Sequence, residues 1–253
     1  MNFFSKIIRE TGGVFLGITA YVTALTIIQQ YKLWKYVVQS AFMAFGTFVL
    51  LGMTGWILGD QFHELLLSIG WIPQEQGWVY WLTYLLILIP MVLLFVLMYK
   101  AVFQVVVAPL LGKVIERVLE IRTGTPWDTK FSLNVAIQGF LKIGLSLLWK
   151  EVALVTVLFF LSFIPVFAVV TTPLMFIVSS YFLGASSMDM INETLQKSME
   201  ERKAYAWKHT GHVLGNGAGF ILLFMIPVAG TFLAPVLSVI AASCSYEKIE
   251  AKK

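Results

Sequence analysis

Ile164-Pro165-Val166 followed by Pro173, and Ile226-Pro227-Val228 followed by Pro235, decide the fold of this chain. In each copy the two prolines are eight residues apart, the copies are 62 residues apart, and each lies in an apolar run with lysines or arginines beyond both ends. Measured to the prolines, each apolar leg is about 10 to 13 residues, or roughly 15 to 20 Å as helix. The hydrocarbon core is about 30 Å thick. Legs that short predict two helical hairpins, over 152–187 and 217–245, that dip into the membrane and return to the side they came from.

The surrounding composition agrees. The chain has 253 residues, 58% hydrophobic and 13% charged, which excludes a soluble globular domain and disorder alike. It reads as an all-α integral membrane protein forming one membrane domain over 1–253. Its one cysteine, Cys244, rules out an intramolecular disulfide and a multi-thiolate metal site. The net charge of +4 comes from basic residues confined to particular segments, a pattern that reports topology rather than nucleic acid.

Two long stretches, 36–59 and 78–99, carry no charge and are long enough to span as transmembrane helices. Between Tyr36 and Tyr99 there is no lysine or arginine, and the connecting loop holds Asp60, Glu64 and Glu75. The outer flanks hold Lys6, Arg9, Lys32, Lys35, Lys100, Lys113, Arg117, Arg122 and Lys130. By the positive-inside rule the loop faces out and the flanks face the cytoplasm, with Trp56, Trp71, Trp78 and Trp81 as an aromatic belt near the loop. The amino-terminal 30 residues lack a small-residue cleavage site and read as a retained helix at the interface. A third spanning helix from Gly12 to Gln30 is the competing reading.

The second spanning helix continues as an amphipathic extension in which Leu110, Val114, Ile115 and Val118 recur at helical spacing. Pro109 should kink it, and Arg122-Thr123-Gly124-Thr125-Pro126 should end it. Asp189 to His209 is the most polar stretch and reads as a solvent-exposed helix.

Each motif has a bland reading beside its chemical one. Backbone groups at the proline turns either line a path for solute or are sealed by neighbouring helices or subunits. Gly215-Asn216-Gly217-Ala218-Gly219 lacks the strand and the Lys-Ser/Thr of a phosphate loop, so a small-residue face for close helix approach is the better reading. His209 and His212 have no third ligand placed for zinc, and no metal or other cofactor is expected. No acid, base and nucleophile assemble, so an enzyme is not expected. Lys32 and Lys35, just before the first spanning helix, are either positive-inside anchors or an anion site where cations meet free helix amides.

Ala108-Pro109 with Glu116 seven residues on, Phe163-Ile164-Pro165 to Pro173, Asp189 after the first hairpin, Gly217-Ala218 ahead of Pro227, and Ile226-Pro227 to Pro235-Val236 carry a resemblance. Together they resemble the CysZ sulfate-permease family, which includes the eukaryotic etoposide-induced membrane proteins, over about Ile7 to Tyr246. The resemblance implies two long membrane helices, two hemi-penetrating hairpins, a homo-oligomer in the inner (plasma) membrane and, in bacterial members, sulfate uptake for cysteine biosynthesis. Sulfate-transporting members carry Gly-x-Arg-Arg before the first spanning helix, whereas the matching stretch here, Tyr31-Lys32-Leu33-Trp34-Lys35-Tyr36, has no glycine and no arginine, with Trp34 and Lys35 at the arginine positions.

The sequence therefore points to a multi-pass membrane protein giving a small anion, sulfate by resemblance, a path through an oligomer in the lipid bilayer. Lys32 and Lys35 are the anion-binding candidates, Pro165, Pro173, Pro227 and Pro235 set hairpin geometry, and Glu116 has a structural or gating role. The reading from another class is a non-transporting membrane scaffold or adaptor.

Overall fold

A computed structural model describes residues 3–70, 77–124, 137–226 and 229–250. The described residues are helical, without a strand: α1 (Phe3–Gln30), α2 (Trp34–Ser68), α3 (Trp78–Thr123), α4 (Leu145–Leu161, preceded by a π turn at Phe140–Gly144), α5 (Pro165–Thr194), α6 (Met199–Lys208), α7 (Thr210–Phe224) and α8 (Ala229–Glu250). Among them, five segments are long and apolar enough to cross a membrane: Glu10–Gln30, Trp34–Leu66, Ile137–Leu161, Pro165–Thr194 and Phe232–Glu250. α3 contains the charge-free 78–99 stretch in one unbroken helix that continues through Pro109 and stops at Thr123. Gly124 then takes φ 70°, and its amide bonds back to Glu120 O at 2.9 Å, the left-handed cap expected there.

The chain divides into two compact units. In Phe42–Val106, α2 meets α3 through aromatic contacts: the Phe48 ring lies edge-on to Phe95 and to Tyr99, and the Tyr99 hydroxyl donates to Ala44 O at 3.4 Å. Thr47 and Thr54 donate their hydroxyls to carbonyls one turn back, so neither brings an unpaired polar group to this apolar helix.

The other unit, Met1–Ala41 with Val107–Lys253, is built around α7. α7 packs on α1, α5 and α8, and α8 is buried continuously from Ala234 to Ser245. Glycine makes this possible. A Cβ at Gly211 or Gly215 would collide with Glu10 O or Val14 O of α1, and one at Gly217 would collide with Ser180 O of α5. Gly17 on α1 and Gly184 on α5 answer from the other side, a Cβ at Gly17 lying 2.8 Å from Asn216 N. Gly219 lies under the Tyr21 ring, whose hydroxyl donates to Asn216 O at 2.8 Å. The small-residue reading of 215–219 is thus correct, and α1 lays its Gly13 and Gly17 face on α7.

The hairpins depart from the expected leg lengths. Pro165 opens α5 at its first turn after a break at Ser162–Ile164, as expected, but Pro173 and Pro235 lie inside the continuous helices α5 and α8. Pro227 falls outside the described residues. In apolar surroundings a broken helix leaves several backbone groups unpaired, whereas an internal proline forfeits one bond, so continuing is cheaper. The Thr172 hydroxyl also donates to Ala168 O at 2.9 Å, beside the carbonyl that Pro173 leaves without its amide. α5 is accordingly 30 residues, about 45 Å, while α7 at 15 residues, about 22 Å, keeps the expected shortness.

The polar stretch is corrected as well. Asp189, Asn192 and Glu193 belong to the last turns of α5, and α6 buries Arg202 and Tyr205 instead of being exposed all round.

The glycine crossing makes a differential prediction. Gly217→Ala should destabilise the folded protein by about 3 kcal/mol by forcing α7 off α5. Gly12→Ala, where a Cβ meets nothing within 4 Å, should be neutral or stabilise by up to about 1 kcal/mol. Thermal unfolding in detergent distinguishes them, and equal effects would refute the backbone contact.

Candidate functional site

The turn between α1 and α2 holds Lys32, and the first turn of α2 holds Lys35, the two lysines singled out from the sequence. α1 closes with paired bonds, Leu33 N to Ile28 O at 3.0 Å and Lys32 N to Gln29 O at 3.4 Å. This is a Schellman cap, in which the residue after the helix adopts the left-handed conformation usually supplied by glycine. Here that residue is Lys32, at φ 54°. Leu33, next along, is buried like Ile28, the apolar pair that accompanies such a cap.

α2 then starts at Trp34 with no acidic residue in its first turn. The amides of Trp34 and Lys35 precede the helical ladder, so the positive end of the helix faces the turn. Lys32 and Lys35 are both exposed, and Lys35 Nζ lies 4.9 Å from the centre of the Tyr36 ring. Trp34, between them in sequence, is also exposed. Sequence reasoning missed Arg122, at the end of α3, which stands within electrostatic range of Tyr31 on this turn and donates to Glu247 of α8. That hydrogen bond raises the guanidinium further above its ordinary range. Only the basic character of 113–122 signalled it; its position beside the turn needed the fold. Glu116 is half-buried on α3 and takes part in interactions of its own, six residues before Arg122.

The prolines do not form a site together. Both turn amides after Ser162 bond locally, Phe163 N to Phe160 O and Ile164 N to Leu161 O, and the Ser162 hydroxyl donates to Phe159 O at 2.6 Å. The amides and the hydroxyl of the first hairpin tip are therefore satisfied within the turn. Buried polar groups lie deeper, on α5, α7 and α8: Ser180, Ser187, Asn216, Ser238, Ser243 and Ser245. Ser187 and Ser238 hydroxyls meet at 3.4 Å, and the fully buried Asn216 carboxamide has no protein partner on either its oxygen or its nitrogen.

A second charged cluster fixes α6 on α5. The Arg202 guanidinium, 3% exposed, donates to both carboxylate oxygens of Asp189 at 2.8 Å and to Glu193 at 2.9 Å. Lys197 Nζ lies 4.7 Å from the Tyr205 ring centre and 4.8 Å from that of Tyr246, two rings that stack. His209 follows α6 and rests its ring 4.6 Å from Tyr205. Among the described residues no three His, Cys, Asp or Glu side chains gather as a metal site would require.

α6 begins with a capping box. The Ser198 hydroxyl, 2.8 Å away, and the Ser198 amide, at 3.0 Å, hold the Glu201 carboxyl below its usual range. A lowered folded pKa means that this stabilisation is complete above the unfolded value and lost as pH falls through the folded one. Acidification below about pH 4.3 should therefore loosen α6, and Ser198→Ala should remove that part of the pH dependence of helical circular dichroism.

Arg202→Ala should cost about 3 to 5 kcal/mol by stranding two half-buried carboxylates. Arg202→Lys should recover only part of it, lacking the fork that engages Asp189; full rescue in thermal unfolding would reduce the cluster to simple charge pairing.

The chain belongs to the family of sulfate transporter CysZ and etoposide-induced protein 2.4, whose family model matches residues 20–235. No curated protein matches the chain significantly. Family membership and the apolar helices identify a multi-pass membrane protein of a transporter family.

Proposed function

We propose that this protein gives a small oxyanion, sulfate as in its family, a passive or ion-coupled path across the membrane as a homo-oligomer, with Lys32 and Lys35 drawing the anion to the head of α2. The observation that carries this reading is Lys32 at φ 54°. A left-handed non-glycine residue costs about 1 to 2 kcal/mol, and strain of that kind marks functional positions. The position corresponds to the glycine of the family's Gly-x-Arg-Arg motif, so this chain accepts the strain and gains an ammonium group at the mouth of a helix amide cluster.

The fold supports a path that does not depend on long legs. α7 is too short to cross, and no charge lies between Glu151 and Asp189 through the first hairpin. Both features fit re-entrant hairpins in the inner membrane, and the buried serines and Asn216 give the four-helix interior its polar character. Two ammonium groups lack the planar fork of arginine, so binding is salt-sensitive and weakly selective among oxyanions.

One observation favours the scaffold reading: the exposed Trp34 at an arginine position offers an apolar surface where an oxyanion would need a donor.

Radiolabelled sulfate flux into liposomes containing purified protein separates the two. Lys32→Gln with Lys35→Gln should abolish flux, and Trp34→Arg with Lys35→Arg should raise apparent sulfate affinity about tenfold, the effect of one charge-assisted bond. Lys32→Gly should raise thermal stability while lowering flux. Unchanged flux in the folded double-Gln variant would place the anion elsewhere, and absence of flux in the unmodified protein would leave the scaffold reading.

A further inference from the structure

The first hairpin changes character abruptly along its length. Its far end is bare and apolar, with Phe160, Phe163, Val166 and Val169 exposed, Val166 to 80%. Beyond Val178, α5 turns inward and packs on α7 and α8. At the level of this transition stands a different surface. Trp149 is 71% exposed beside the exposed Lys150 on α4. Trp207 is 76% exposed on α6, its ring 5.6 Å from that of Tyr181 on α5, with the exposed Lys203 one turn before it and Lys208 after it.

Helix lengths from the turn, together with one ring contact, place these groups within about one helical turn of each other in height. Lys150 precedes the turn at Ser162 by 12 residues, and Tyr181 follows Pro165 by 16, about 18 and 24 Å along helices that pack side by side. α6 runs back along α5, since Arg202 binds Asp189 while Trp207, further on, meets the earlier Tyr181. Its acidic first turn, Glu200 and Glu201, points away from the tip and its last residue, Lys208, toward it. Among the described acids near this level, Glu151 is half-buried and engaged in interactions of its own, and Glu10 accepts from the Gly211 amide just beyond Lys208.

We infer that Trp149, Lys150, Lys203, Trp207 and Lys208 form a docking belt for anionic phospholipid headgroups, with the hairpin tip sunk about 20 Å into the acyl chains of the same membrane. Indole rings partition to the headgroup level, and each lysine at an anionic surface contributes about fivefold in binding. The tip tolerates immersion because its turn amides are bonded within the turn. This holds whether or not the chain carries an anion; it rests on the hairpin being re-entrant.

Two measurements on the full chain test it. Nitroxide labels at Lys208→Cys and at Val166→Cys, each in a Cys244→Ala background, are compared in phosphatidylglycerol–phosphatidylcholine liposomes by collision with oxygen and with a nickel chelate. The label at 208 should sit at headgroup depth and that at 166 deep in hydrocarbon. A 166 label open to chelate, or a 208 label in bulk water, overturns the belt. In detergent, phosphatidylglycerol should raise the melting temperature more than phosphatidylcholine does. Lys150→Gln, Lys203→Gln and Lys208→Gln together should remove that difference, while the three Lys→Arg changes should keep it. A difference that survives in the Gln variant overturns the headgroup assignment without touching the flux result.

Discussion

The bare backbone contact of α7 with α1 and α5 is the constraint on which the rest of this structure depends. Between apolar helices in lipid there is no hydrophobic drive to associate, because acyl chains are as apolar as leucine, so dispersion and polar contacts at short range must suffice. Gly211, Gly215 and Gly217 meet Glu10, Val14 and Ser180 at distances that no side chain would allow. Once the backbones are that close, other groups come into reach: the Glu10 carboxylate accepts from the amide of Gly211, in the first turn of α7, at 2.6 Å, and the Tyr21 hydroxyl reaches Asn216 O. A helix of 15 residues, too short to be anchored by spanning, is thereby held at its first turn and along two faces.

At the other end of α5 the same problem is solved electrostatically. Asp189 and Glu193, one turn apart on one face, would repel; Arg202 lies between them with its planar fork on Asp189 and a second contact to Glu193. Because those acids are fixed on α5, Arg202 sets the direction in which α6 runs, and this direction brings Trp207 back to Tyr181. The left-handed Gln196, at φ 53°, makes the reversal possible, with Lys197 N closing on Asn192 O at 3.0 Å.

Much of this was legible because it rests on composition over long windows. Charge-free runs gave the long helices, glycines four apart gave a close-packed face, and Gly124 marked the end of α3. The prolines were legible as a repeat but misleading as punctuation, since the habit of ending a helix at proline belongs to water, where exposed backbone groups are solvated. Pro173 and Pro235 occupy equivalent places inside α5 and α8, so the repeat is one of helix interiors as much as of turns. Arg202 with Asp189, thirteen residues away across a reversal, has no local signature. Nor has Arg122 with Glu247, which depends on how the end of α3 meets α8.

Lys32 shows what a turn gives up when its cap is not glycine. It holds the left-handed position after α1 at φ 54°, at a cost of about 1 to 2 kcal/mol, while Leu33 beside it packs down with Ile28. Lys35 stands in the first turn of α2. The two cations therefore come from different elements, one from the cap of α1 and one from α2, and each ammonium sits on a flexible stem without the planar fork of arginine. Under the proposed anion reading, such an arrangement attracts through charge and selects weakly among oxyanions.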